Sequence, residues 1–231
     1  MSEPRVFEEL RQKTLDLEQF AYAASHDLQE PLRVVSNYAT LLVESIDRPT
    51  EEQEFFAKMI TDSTSRMQAL IGDLLKYSRV GSFVDMQPVS SKDAFFDALD
   101  SLRMAREEAG ATIVMDNPMP IVHADKTLLT QLLQNLIANA IKFRNGRKPE
   151  IHVGCEGTGD KWRMYVDDNG IGVDPRFADR IFKVFQRLHP QGEYQGTGIG
   201  LAICKRICDR HGWSISVARS ASGGARFSFG P

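Results

Sequence analysis

Residues 21–42 read AYAASHDLQEPLRVVSNYATLL. Positions 21, 24, 28, 31, 35, 38 and 42, taken in alternating steps of three and four, are Ala, Ala, Leu, Pro, Val, Tyr and Leu, the spacing of a heptad seam along one helix. The same register runs back through Leu17, Thr14 and Leu10 to Phe7. Between Val6 and Ser78 there is no glycine before Gly72, and the only prolines are Pro31 and Pro49, a composition that favours long helices. Asp47-Arg48-Pro49-Thr50 interrupts the seam, and Phe56, Ile60, Ser63, Met67, Leu70, Leu74 and Tyr77 resume it. The spacing predicts a helical hairpin. One hairpin leaves its apolar face wet, so a second copy is expected to complete an antiparallel four-helix bundle.

The composition bounds the function classes. The 231 residues carry 28 basic and 31 acidic side chains, a net charge of −3, spread along the chain, which argues against nucleic acid or an anionic membrane surface as a partner. No apolar run approaches the roughly 18 residues of a membrane span. Cys155, Cys204 and Cys208 form neither a paired framework nor a CxxC site, and the expected compartment is the cytoplasm.

Beyond a hairpin assigned to residues 1–80 and a polar linker at 81–88, the second half (89–231) follows a different pattern. A helical stretch at Ser91–Glu108 precedes short extended runs at Thr112–Met115 and Ile121–His123, then a strongly apolar helix at Lys126–Phe143. Strand-like runs follow at Ile151–Cys155 and Trp162–Val166, then a helix at Leu201–Arg210 and closing strands near Ile215 and Phe227. This order predicts an α+β domain, a mixed sheet covered by helices on one face.

Four groups of residues could carry chemistry. His26 lies two residues after one seam position and two before the next, so its ring should sit beside the seam, within reach of solvent. Pro31 removes a backbone donor and should crowd the carbonyl of Asp27. A neutral imidazole is a competent nucleophile, and Asp27 could hold and aim it. On the apolar helix, Asn135, Asn139 and Lys142 stand at i, i+4 and i+7, a polar stripe suited to Mg²⁺ and phosphate. Asp168, Gly170 and Gly172 follow a strand, where glycines would let the backbone approach a flat base and the carboxylate would accept from an exocyclic amine. Gly196-Thr197-Gly198-Ile199-Gly200-Leu201 opens a helix, with amides free to hold an anion. Each group alone has a plain structural alternative: a surface histidine, a solvated helix face, a tight turn.

Their order is more specific. Ser25-His26-Asp27-Leu28-Gln29-Glu30-Pro31-Leu32-Arg33 resembles the phosphoacceptor box of sensor histidine kinases, and of the phytochrome-type kinases in particular. Asn135 to Phe143 resembles their N box, Asp168 to Gly172 the G1 box, Ile181 to Leu188 the F box, and Gly196 to Gly200 the G2 box. The resemblance covers nearly the whole chain. It implies a GHKL-type ATP fold, with His26 as phosphorylation site and Asp27 as its acid/base orienter. Asn139 would hold Mg²⁺ with Asn135 assisting, Lys142 would meet the phosphates, Asp168 would read adenine, and Arg187 would contact the γ-phosphate. The polar stretch after Leu188 would be a mobile ATP lid.

The implied activity is ATP-dependent autophosphorylation of a homodimer, then phosphoryl transfer to an aspartate on the receiver domain of a response regulator. An upstream sensor domain would act through the heptads around Phe7 to Leu17. Glu30 departs from the Thr or Asn often found there in members that also dephosphorylate their partner, which leaves a phosphatase activity without its usual residue. In GHKL hydrolases a glutamate that activates water occupies the position of Asn135, so transfer to a side chain is favoured over hydrolysis. A dimerising adaptor that keeps only the shape of a nucleotide domain, and an ATP-driven clamp, are the competing readings. The first predicts no nucleotide-dependent rise in melting temperature, the second phosphate release that survives His26→Ala.

Overall fold

The structure is a computed structural model that describes residues 25, 27–80, 84–188, 194 and 196–231, with the backbone alone at Asp160. The chain divides into two compact units, Met1–Ser82 and Phe83–Pro231. His26 and the heptads from Phe7 to Leu17 lie outside the described residues, as do most residues of the expected lid.

In the first unit, helix α1 (27–44) continues without interruption through Pro31. The Asp47–Thr50 break falls in the loop before helix α2 (Glu51–Arg79). Thr50 starts α2 with a reciprocal capping box: its hydroxyl accepts from the Gln53 amide (3.3 Å) while its own amide donates to the Gln53 side chain (2.9 Å). Acidic Glu51, Glu52 and Glu54 in the first turn complement the helix dipole. Leu28, Pro31 and Leu32 of α1 share an apolar cleft of about 380 Å³ with Met67, Leu70 and Ile71 of α2. The rest of the seam stays uncovered: Val35, Tyr38, Leu42, Phe56 and Ile60 are 43–68% exposed.

In the second unit, β1 (Gln87–Ser90) pairs antiparallel with β3 (Ile121–Ala124). Gln87 and Pro88, expected as the end of a linker, thus open a strand. Helix α3 (Ser91–Ser101) is capped by the Ser90 hydroxyl. The single helix expected over Ser91–Glu108 breaks at Leu102, whose φ/ψ of −103°/10° leaves the helical region, and α4 (Arg103–Ala109) resumes after it. The main sheet has order β2-β4-β5-β7-β6, built from β2 (Thr112–Met115), β4 (Glu150–Glu156), β5 (Arg163–Asp168), β7 (Ala225–Gly230) and β6 (Ser214–Arg219). The β2–β4 pair is parallel and the others antiparallel, so the sheet is mixed as expected.

Helices α5 (Lys126–Lys142) and α6 (Gly200–His211) supply the covering layer. Leu129, Leu132, Leu133, Leu136 and Ile137 of α5 are fully buried, as are Ile151, Val153, Met164, Val166 and Phe229 of the sheet. Cys204 and Cys208 face this core from α6 and, being buried, hold their thiols above the usual range. The other sheet face is polar, with Asp116 joining His152 (2.7 Å) on β4 to the Tyr165 hydroxyl (3.0 Å) on β5. None of the described helices is long and apolar enough to cross a membrane.

Candidate nucleotide site

Helix α5 buries one stripe and leaves another for chemistry. Its apolar residues fill the core, which forces Asn135, Asn139 and Lys142 to the half-buried opposite side. Asp125 begins the helix by accepting the Leu128 amide at 3.0 Å. The Asn135 side-chain nitrogen is buried with no protein partner among the described residues. Such a group favours a ligand, because leaving it unpaired costs about 1–3 kcal/mol. Lys142 lies with its ammonium 4.2 Å from the Phe143 ring centre. Burial first, and the nearby positive Arg187 second, lower its pKa to about 8.

The glycine-rich turn lies along this stripe. A Cβ at Gly196 would come within 2.5 Å of the Lys142 ammonium, and one at Gly200 would stand 3.8 Å from the Asn135 side-chain oxygen. Thr197 accepts from the Ile199 amide through its hydroxyl at 3.3 Å. Helix α6 starts at Gly200, with Leu201 in its first turn, and among the described residues no side chain caps it. Gly196 and Gly200 bring this helix start, with its unpaired leading amides and the positive end of its dipole, beside the stripe. Gly198 (φ 77°) backs against Gln186 and Arg187, where a Cβ would come within 3.0 Å of the Gln186 carbonyl.

Asp168 ends β5 and is buried. Its Oδ1 accepts from the amides of Gly170 (2.9 Å) and Ala225 (3.0 Å). Burial raises its pKa while those two amides oppose the rise. The Ile171 amide donates to the Phe143 carbonyl at 3.1 Å, and a Cβ at Gly170 would overlap that carbonyl, so the turn after β5 is seated on the end of α5. Gly172 adopts φ 72°, a conformation open mainly to glycine.

Arg187 is exposed and donates through Nη2 to the Tyr194 carbonyl at 2.9 Å, while the Tyr194 ring packs on Phe143 at 5.0 Å between centres. Phe182 packs edge-on against Phe227, and Phe185 is exposed at φ 62°, an uncommon conformation for a bulky residue. Asn135, Lys142, Asp168, the five glycines and Arg187 are thus linked in one region of the second unit, with Asn139 on the same stripe. Asp27, in the other unit, is exposed on α1. Sequence reasoning missed the Phe143 carbonyl, the Ala225 amide and the Tyr194 ring. The Gly223-Gly224 pair before β7 was the one available signal for the second of these.

A polar stripe ending in Lys142 on one helix, an amide-rich turn beside it and a buried carboxylate at a strand end make a site suited to an anionic ligand. Residues 124–231 match the family described as histidine kinase-, DNA gyrase B-, and HSP90-like ATPase, and residues 16–83 match the His Kinase A (phospho-acceptor) domain. Cyanobacterial phytochrome A of Nostoc sp. is 47% identical over 96% of this chain, and the phytochrome-like protein Cph1 of Synechocystis sp. 44% identical over 95%. The chain spans 29% and 30% of the lengths of these two relatives. Among solved structures, full-length ShkA in complex with AMPPNP superposes with a TM-score of 0.66 at 27% identity, covering 91% of this chain and 45% of that one. The chain belongs to the sensor histidine kinases and has the make-up of their transmitter core, a phospho-acceptor domain followed by an ATPase-type domain.

Proposed function

We propose that the chain transfers the γ-phosphoryl group of ATP to its own His26 and then to an aspartate on a response regulator. The observation that carries this reading is the meeting of Lys142, the Gly196–Gly200 turn, Asn135 and Arg187 in one region, with a buried acid at Asp168. Two cations with an uncapped helix start favour a polyphosphate.

A magnesium ion fits this donor set. Among the described residues no cluster of three or more His, Cys, Asp or Glu could hold a metal. Mg²⁺ needs none, since it keeps waters and phosphate oxygens and takes few protein ligands. Asn139 would supply one oxygen, with Asn135 beside it, and the ion would neutralise charge on the phosphates.

In the first step the unprotonated nitrogen of the His26 imidazole attacks the γ-phosphorus in line. The bond to the β–γ bridging oxygen breaks and ADP leaves. The proton on the other ring nitrogen passes to Asp27 or water, which leaves the ring of the phosphohistidine neutral beneath its anionic phosphoryl group. Lys142 and Arg187 stabilise charge on the phosphates, and Asp168 accepts from the adenine amine. In the second step an aspartate carboxylate on the receiver domain takes the phosphoryl group and restores the imidazole. The exposed seam of α1 and α2 supports a homodimer, because a contiguous apolar face of this kind requires a cover. Signals would enter from an upstream sensor domain, and the site of action would be the cytoplasm.

The test is incubation of the purified chain with γ-labelled ATP and Mg²⁺, wild type against His26→Gln. Acid-labile label on wild type that is missing from the variant is the expected outcome. No label together with no Mg-ATP-dependent rise in melting temperature would support the adaptor reading, and phosphate release that persists in the variant the clamp.

A further inference from the structure

The turn joining β6 to β7, residues 220–224, has no part in the mechanism above, yet it is built onto Asp168. The β5–β7 ladder ends at the pair Asp167–Arg226. One residue further on, the Ala225 amide gives its hydrogen bond to Asp168 Oδ1. The Ser222 hydroxyl donates to the Asp168 main-chain carbonyl at 2.9 Å. The turn is braced internally: the Ser220 amide donates to the Gly224 carbonyl (3.0 Å), the Gly223 amide to the Ser220 carbonyl (3.1 Å), and the Ser222 amide to the hydroxyl of buried Ser220 (3.3 Å). Gly224 sits so close that a Cβ there would overlap Asp168 Oδ1, the Asp168 carbonyl and the Gly170 amide.

We propose that the β6–β7 turn is a positioning element for base selection: Gly224 and Ser222 hold Asp168 with Oδ1 committed to two amides, leaving Oδ2 to accept from the 6-amino group of the purine. This rests on the reading of Asp168 as the base-reading acid. With Oδ1 held by the Gly170 and Ala225 amides, the carboxylate plane is fixed, and among the described residues no protein donor reaches Oδ2. A fixed acceptor discriminates, because a ring with no amine leaves it buried without a donor. Burial pushes the Asp168 pKa up, and the same two amides oppose that rise by favouring the charged form. A carboxylate free to rotate, or one that takes up a proton, would lose that discrimination.

A turn that only closes a hairpin would weaken every nucleotide alike, so the ratio of two affinities separates the roles. The experiment measures binding of ATP and of purine riboside triphosphate, which has no 6-amino group, to the whole chain with Mg²⁺ by calorimetry. Wild type, Asp168→Asn, Ser222→Ala and Gly224→Ala are compared, with melting temperatures recorded without nucleotide. Wild type is expected to favour ATP by about tenfold or more and Asp168→Asn to lose that preference. Gly224→Ala and Ser222→Ala should narrow it to about threefold or less. A wild-type ratio retained in both folded turn variants would overturn the proposal while leaving Asp168 as the base-reading acid. If Gly224→Ala does not fold, an unchanged ratio in Ser222→Ala has the same meaning. Equal ratios in wild type and Asp168→Asn would instead overturn the reading of Asp168, and the proposal with it.

Discussion

Lys142 lies in the field of Arg187, and burial first and that positive charge second hold its ammonium at a pKa of about 8, well below its usual 10.5. The charged form is therefore disfavoured in the folded chain. Between about pH 8 and 10.5 the unfolded chain binds the additional proton, so the penalty on folding is full below pH 8 and is relieved as the pH rises toward 10.5. Lys142→Met removes the penalty. It is expected to melt a few degrees above wild type at pH 7 without nucleotide, and to lose the rise in melting temperature that Mg-ATP gives wild type. A lower melting temperature without nucleotide would contradict this account.

Asn135 predicts the same opposition of stability and binding from a neutral group. Its side-chain nitrogen is buried and unpaired among the described residues, and leucine has the same branched skeleton without the polar atoms. Asn135→Leu should gain about 1 kcal/mol in urea unfolding without nucleotide. Autophosphorylation by the same variant should fall by tenfold or more.

The exposed seam makes a prediction about assembly. Val35 and Leu42 are 48% and 66% exposed in the single chain and occupy heptad positions. A charge there would be buried against a second copy, at a cost of several kcal/mol. Val35→Glu with Leu42→Glu should sediment as a monomer at concentrations where wild type is a dimer, while its nucleotide-dependent rise in melting temperature persists. Wild-type sedimentation of the double variant would argue against this face as the dimer surface.

His211 should make the second unit sensitive to acid. It is buried, with Nδ1 2.8 Å from the Ile207 carbonyl and Nε2 accepting from the Asp125 amide at 3.0 Å, an arrangement that requires the neutral ring. Burial lowers its pKa from 6.5, outweighing the Ile207 bond and the Asp125 charge. Since the folded pKa lies below the unfolded one, its contribution is complete above pH 6.5 and is lost as the pH falls from there toward the lowered value. His211→Gln should be less stable than wild type at pH 7.5 by about 1–2 kcal/mol, with the gap shrinking toward pH 5 in urea titrations. A gap constant across that range would show that the ring does not titrate in this window.

Much of the local structure was legible because it depends on near neighbours. The heptad steps marked both hairpin helices, and the run Leu129 to Ile141 could be satisfied only by a helix with one side in a core. Strand limits shifted by a residue or two, since the ladder and not the local sequence decides where pairing stops: β4 begins at Glu150, whose amide is held by Asn169. The break at Leu102 was not legible, because nothing in Ser101-Leu102-Arg103 disfavours a helix and the turn places a buried leucine into the core. The start of β1 was missed for a related reason. Pro88 reads as a linker residue, yet a strand with one open edge tolerates it.

The sequence by itself determined the division into hairpin and α+β halves, the polar stripe on α5, the glycine turns and the acid after β5, because each is a matter of residue type at fixed local spacing. Only the tertiary structure decided that Gly196 lies over Lys142, that Arg187 shares its field, and that Phe143 and the β6–β7 turn both close on the Asp168 corner. Those relationships join segments far apart in the chain through backbone carbonyls and amides, groups that every residue carries and that no side-chain pattern can announce.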